Sequence, residues 1–144
     1  MINTQRAIVL DTNAVLDWLL FADGCMAQIA HAIVHRELQW IATQSMRDEF
    51  ERVLAYPALA PRNPDATTAL AMWDRHARLQ AIPAACPIVC RDADDQKFID
   101  LAITAKAHWL ISKDRALLAL KKKALPYGVA ICRPEHALIG PYSA

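Results

Sequence analysis

Short blocks of consecutive apolar residues alternate with longer stretches in which apolar positions recur every three or four residues. Ala7-Ile8-Val9-Leu10 is the first block, and its unbroken, partly β-branched run predicts a strand buried on both faces. Asp11-Thr12-Asn13 follows, three residue types that favour turns and helix caps. Val15, Leu16, Leu19 and Leu20 then recur at helical spacing, as do Ile29, Ile33 and Val34 within Met26 to Arg36. Leu38 to Ala42 reads as a second strand, and Thr43 to Leu54 as a helix with a stripe of Met46, Phe50, Val53 and Leu54. Tyr56 to Pro64 carries three prolines and predicts a loop. Asp65 to Leu79 predicts a helix with Leu70, Trp73 and Leu79 on one side, ended by Pro83 to Pro87. Ile88-Val89-Cys90 predicts a brief strand or extended segment. Asp95 to Lys106 is helical around Phe98, Ile99, Ala102 and Ile103. Trp109 to Ile111 predicts a strand, Arg115 to Lys122 a short helix, and Val129 to Ile131 a closing strand. Pro134 suits the first turn of a terminal helix. Short apolar strands alternating with helices predict an α/β fold, a parallel sheet covered on both faces.

A length of 144 residues suits one domain, residues 1–144, and a hydrophobic fraction of 55% excludes a disordered chain. The net charge of +1 lacks the basic excess expected of a nucleic-acid binder, so any such contact must come from local clusters. Cys25, Cys86, Cys90 and Cys132 form no zinc-like spacing. No secretory leader is expected ahead of the first strand, and that apolar run is too short to span a membrane. Four reduced, mostly buried thiols in a cytoplasmic protein follow as the expectation.

Four carboxylates stand at informative places. Asp11 directly follows the first strand, and Asp114 follows Trp109 to Ile111 within Ser112-Lys113-Asp114. Asp95 opens a helix within Arg91-Asp92-Ala93-Asp94-Asp95. Sites in open parallel sheets form outside the carboxyl ends of the strands, so Asp11 and Asp114 are expected at one edge, joined by Asp95 if its helix starts there. Glu49 lies three residues after Met46 and four before Val53, on the apolar face, where a carboxylate calls for a partner. Taken singly, Asp11, Asp95 and Asp114 also fit helix caps, and Glu49 fits a solvent-reaching side chain or a pair with Arg52. Converging carboxylates repel unless a cation lies between them, and Mg2+ or Mn2+ favours such oxygens. An ion of this kind activates water and stabilises charge on a phosphodiester. No Ser-His-Asp order, glycine-rich phosphate loop or zinc signature competes.

Ile8-Val9-Leu10-Asp11-Thr12-Asn13, Asp48-Glu49-Phe50-Glu51-Arg52-Val53-Leu54, Arg91-Asp92-Ala93-Asp94-Asp95-Gln96-Lys97-Phe98 and Leu110-Ile111-Ser112-Lys113-Asp114 occur in this order. On these four stretches the chain resembles the PIN-domain family, and on the last two its branch of bacterial toxin-antitoxin toxins. The resemblance implies a Rossmann-like three-layer α/β/α sandwich with a central parallel sheet and an Mg2+- or Mn2+-dependent ribonuclease. It places Asp11, Glu49 and Asp114 on the family's acidic, metal-binding positions, has Asn13 help fix the first aspartate, and matches Ser112 to a common Ser/Thr near the last. Counted back from Asp114, the family's third position falls on Gln96, beside Asp95. The branch's Asp-Pro-x-Asp corresponds to Asp92-Ala93-Asp94-Asp95, with alanine in place of proline. Asp92, Asp94 and Asp95 all stay open as that ligand. Asp95 is preferred because Phe98 and Ile99 anchor its face to the core, with Asp92 second as an outer or capping group.

An acidic site needs basic residues at its rim to hold a polyanion, and Arg91, Lys97, Lys113 and Arg115 flank the acids as candidate RNA contacts or as ordinary solvated charges. Lys121-Lys122-Lys123 reads as a solvated helix end, and Trp18, Trp40, Trp73 and Trp109 as packing residues rather than base-stacking platforms. The toxin analogy implies an antitoxin partner and a homodimer, with the Leu70 to Leu79 helix as a contact. A catalytically inactive PIN-like scaffold and a DNA-directed nuclease are the alternatives. A phosphoryl-transfer enzyme with Asp11 as nucleophile is a third, weakened by Asn13 where a second aspartate would be expected.

Overall fold

The computed structural model describes residues 6–137 and 139, and realises the alternation of strand and helix as a single five-stranded sheet. The strands are β1 (Arg6–Leu10), β2 (Leu38–Ala42), β3 (Ala77–Leu79), β4 (Trp109–Ile111) and β5 (Ala130–Cys132). All pairings are parallel, in the order β3-β2-β1-β4-β5. The helices are α1 (Thr12–Leu19), α2 (Ala27–Val34), α3 (Gln44–Leu54), α4 (Ala66–His76), α5 (Gln96–Thr104), α6 (Arg115–Leu118) and α7 (Lys121–Ala124). From β1 the chain steps outward through β2 to β3, then crosses back to β4 and outward to β5. Right-handed crossovers therefore put α1 to α4 on one face and α5 to α7 on the other. The packing agrees: α3 contacts α1 and α4, whereas α5 lies on β1 and β4, and α6 and α7 on β5. This is a three-layer α/β/α fold.

The runs predicted as doubly covered strands are so: Ile8, Val9, Leu110 and Ile111 are wholly buried. Trp40 and Trp73 meet edge to face at 4.7 Å, and Phe50 stacks on Trp73 at 5.3 Å. Trp109 is buried too, and Trp18 is half-buried 5.5 Å from Trp40, so all four tryptophans pack. In α4, Trp73 and Ala69 face the core, and Leu70 is half-buried. The thiols are free; Cys90 and Cys132 are buried, and Cys25 and Cys86 half-buried.

Several boundaries differ from the pattern. The helix expected to reach Leu79 ends at His76, and residues 77–79 form the edge strand β3, whose pairing with β2 is extended by Gln80 N–H donating to Ala42 O at 2.7 Å. An edge strand with Arg78 and Leu79 exposed carries too little apolar alternation to announce itself. Arg115 to Lys122 is not one helix but α6 and α7. Leu117, Leu120 and Ala124 all remain buried across the break, which keeps the helical spacing intact in the sequence. The three lysines are exposed but make up most of α7 instead of ending a longer helix. Val129 is not in β5, because its N–H donates to Ala124 O after a left-handed turn at Gly128 (φ 83°). Pro134 opens a 3-10 turn, Pro134–His136, and residues 138 and 140–144, where a terminal helix would continue, lie outside the described residues. The proline-rich loop contains a 3-10 turn at Pro57–Arg62. Residues 88–90 are extended without joining the sheet.

Candidate metal centre

The order of the sheet changes direction between β1 and β4, whose following helices lie on opposite faces. Their carboxyl ends therefore diverge into a crevice, the usual place for a site in such a sheet. Asp11 and Asp114 sit on its two sides. Asp11 ends β1 and caps α1: Oδ1 accepts from Ala14 N–H at 2.8 Å, and Oδ2 from the Ser112 hydroxyl at 2.6 Å. Ser112, fully buried just past β4, also accepts from Asp114 N–H at 2.9 Å. Asp114 in turn caps α6, accepting from Ala116 N–H at 2.7 Å. The capping role and the edge position thus coexist in both aspartates, and one hydroxyl ties them together.

Glu49 arrives from α3 on the face of Met46, which is buried, and Val53, half-buried. Its partners are not Arg52. One carboxylate oxygen accepts from the Thr12 hydroxyl, and the other from Lys97 Nζ at 2.7 Å. Lys97 Nζ also reaches Asp94 O at 2.5 Å, so one ammonium links α3 to the turn before α5. The sequence marks Thr12 only as one of the turn- and cap-favouring residues Asp11-Thr12-Asn13 and gives it no part in the site.

Asp95 closes the 3-10 turn Ala93–Asp95 and begins α5 without a side-chain cap bond. The neighbouring Gln96, where the family count falls, is committed elsewhere. Its amide accepts from Cys90 N–H (2.7 Å) and donates to Ile88 O and Asp100 Oδ1 (both 2.9 Å), pinning the extended segment 88–90. Phe98 and Ile99 are buried, fixing the helix face as expected. Oxygens of Asp92, Asp95 and Asp114 lie within 4.8 Å of one another. Asp94 is exposed and stays outside this group, its N–H held by Asp92 Oδ1 at 3.0 Å.

Asp11, Glu49, Asp95 and Asp114 line one cleft of about 160 Å3 with Thr12, Asn13, Val53 and Phe98. Burial, opposed by the Ser112 and Ala14 bonds and helped by Asp114 and Asp17, pushes Asp11 up to about 6. Desolvation and the charges of Asp114, Asp92 and Asp11, opposed by Lys97, push Asp95 up to about 7. Asp95 Oδ2 is buried and has no hydrogen-bond partner. A buried, unpaired carboxylate oxygen facing other carboxylates is costly unless a cation completes it. An all-oxygen donor set fits a hard divalent ion such as Mg2+ or Mn2+.

The family model described as PIN domain matches residues 7–116. The chain belongs to the PIN-domain family. No curated protein matches it. PIN domains are as a class nucleases that bind divalent metals through acidic residues, and this PIN domain carries such an acidic cluster. Around its cleft, Asn13 is exposed at the mouth and makes no hydrogen bond to Asp11 among the described residues, so that work falls to Ser112 and Ala14. Of the four basic residues at the expected rim, Arg91 and Arg115 are exposed. Lys97 pairs with Glu49 at 2.7 Å, and Lys113 with Asp17 at 2.9 Å and Asp23 at 3.9 Å. Among the described residues no helix is long and apolar enough to cross a membrane.

Proposed function

We propose that this PIN domain, as a single unit over residues 1–144, is an Mg2+- or Mn2+-dependent endoribonuclease and the cytoplasmic toxin of a toxin-antitoxin pair. The observation that carries the reading is the cleft in which Asp11, Glu49, Asp95 and Asp114 converge, with one Asp95 oxygen buried and unpaired. A bound divalent ion would supply a water of lowered pKa and charge stabilisation at the scissile phosphate. Asp11, Asp95 and Asp114 would hold that ion, with Asp92 beside them. Ser112 and Ala14 keep the Asp11 carboxylate from rotating, and the α6 cap does the same for Asp114. Thr12 and Lys97 hold Glu49 across the cleft, where its carboxylate can orient a water or accept its proton. Exposed Arg91 and Arg115 suit phosphates on either side of the cut. The toxin role rests on the likeness of the Asp92–Asp95 and Ser112–Asp114 stretches to that branch, and it implies an antitoxin that covers the cleft.

The test incubates purified protein with single-stranded and structured RNA, and with matched DNA, in Mg2+, Mn2+ or EDTA. Internal RNA cleavage that needs the metal and disappears in Asp95→Asn supports the reading. Cleavage of DNA alone would replace the substrate class. Metal-independent cleavage that survives the substitution would remove the site.

A further inference from the structure

The basic side chains of this molecule are not spread evenly. Residues 115–134, which include α6, α7 and β5, carry five of the 16 lysines and arginines and none of the 15 aspartates and glutamates. The rest of the chain is therefore net −4, and it supplies every carboxylate of the cleft. Four of the five, Arg115, Lys121, Lys122 and Lys123, are exposed and make no ion pair among the described residues. The fifth, Arg133, is paired with Glu135 at 2.9 Å. Local stability does not account for the lysines. Lys121 and Lys122 stand at the amino end of α7, where the helix dipole disfavours cations, and no acidic residue in the first turn offsets them. Consecutive like charges also repel one another. Leu117, Leu120 and Ala124 are buried, so the three lysines fan over the outward half of the helix.

Their place connects them to the cleft. β5 is the edge strand beside β4, and Cys132 at its carboxyl end is in register with Ile111. Ile111 leads through Ser112 to Asp114, which lines the cleft and caps α6, so Arg115 stands at the mouth. Lys121 lies close enough to Cys132 for its ammonium to oppose the rise that burial causes in the thiol pKa. That puts Lys121 near the carboxyl edge of the sheet, one strand or about 5 Å outward from β4. α7 lies along β5, with Val129 N–H donating to Ala124 O at its far end, and Lys122 and Lys123 carry the charge outward. The turn that follows presents the Tyr127 ring, 47% exposed. Lysines beside an open aromatic ring suit a strand of phosphates and bases better than an acidic peptide, which has no base to stack.

We propose that Arg115, Lys121, Lys122, Lys123 and Tyr127 form a track over the β5 edge that holds single-stranded RNA outside the cleft, the basic groups on its phosphates and the ring on a base. The proposal rests on the nuclease reading for what the strand is delivered to. The track itself needs no metal, because it meets the phosphates with positive charge, whereas the cleft admits a phosphate only with a cation between like charges.

Fluorescence anisotropy of a labelled oligouridine, in EDTA and at several salt concentrations, tests it. The proteins are wild type, Lys121→Gln/Lys122→Gln/Lys123→Gln, Lys121→Arg/Lys122→Arg/Lys123→Arg, Tyr127→Ala and Tyr127→Phe, each shown by a thermal melt to be folded. Wild type should bind, and the glutamine variant should lose about 2 from the slope of log affinity against log salt, at roughly 0.7 per phosphate contact. Tyr127→Ala should weaken binding about fivefold or more, while the arginine and phenylalanine variants retain it. Absence of RNA binding by wild type overturns the proposal, as does a salt slope indifferent to the lysines. Poly-L-glutamate binding that is lost in the glutamine variant while RNA binding is unchanged would overturn it in favour of an acidic protein partner. The expected binding pattern without any cleavage in Mg2+ or Mn2+ would support the track and count against the nuclease reading alone. Metal-dependent cleavage with binding indifferent to the lysines would remove the track alone.

Discussion

Asp11→Asn should make the metal-free protein more stable at neutral pH, although it removes a group at the centre of the site. Asp11 is 4% exposed, and its folded-state pKa stands at about 6 against an ordinary 3.8. A raised carboxyl pKa means that the folded state binds its proton more tightly than the unfolded state. Stability is therefore fullest at low pH and declines as pH rises from 3.8 through about 6, after which the penalty is constant. At about 1.4 kcal/mol per pH unit, that penalty approaches about 3 kcal/mol. Asparagine escapes it and keeps the acceptor for Ala14 N–H, but presents an amide N–H where Ser112 donated, a loss of about 1 kcal/mol. The net gain is about 2 kcal/mol, or roughly 6 °C in Tm for a domain of this size. Melts in EDTA at pH 7.5 read this directly, and the advantage should shrink as pH falls from about 6 toward 4. Excess Mg2+ should reverse the ranking, since a ligand at a hundred times its Kd stabilises the wild type by about 2.7 kcal/mol and the variant little. A variant less stable than wild type at pH 7.5 in EDTA would refute the claim that Asp11 is held at a cost.

Three further outcomes follow from the same geometry. Mg2+ affinity should rise as pH climbs from about 5 to 8, because the ion displaces protons from Asp95 and Asp11; titration calorimetry at several pH values checks it. Lys97→Met should lower stability by no more than about 1 kcal/mol, since the Lys97–Glu49 pair is partly exposed. It should weaken metal-dependent cleavage far more, and Lys97→Arg should restore part of it. Ser112→Ala should cost about 1–3 kcal/mol in a urea melt, leaving Asp114 N–H unpaired, and should shift the pH dependence of Mg2+ binding upward by removing the bond that opposes the rise at Asp11.

The parts of the fold that could be read from the chain are those governed by burial on both faces. β1 from Ala7 onward and β4 are unbroken apolar runs, β2 is interrupted only by Gln39, and the acids placed beyond β1 and β4 by that reading do line one cleft. β3 escaped because an edge strand needs little apolar alternation, and its residues continued the spacing of α4. Asp92, Asp94 and Asp95 were not separable by spacing, as a turn of three residues precedes the helix. What separates them is tertiary: Gln96 is tied to Ile88 and Cys90, which sets the turn so that Asp92 and Asp95 face Asp114. The roles of Lys97 and Lys113 were hidden for a similar reason. Their acidic partners, Glu49 and Asp17, are far away in sequence and come close only when both faces of the sheet are covered.

Whether the four-carboxylate cleft holds a divalent ion is tested most directly by Mn2+ titration followed by electron paramagnetic resonance. Wild type should withdraw Mn2+ from the free-ion signal, Mg2+ should compete for the same site, and Asp11→Asn/Asp95→Asn should leave the signal free. Equal uptake of Mn2+ by the wild type and the double variant would contradict metal binding in the cleft.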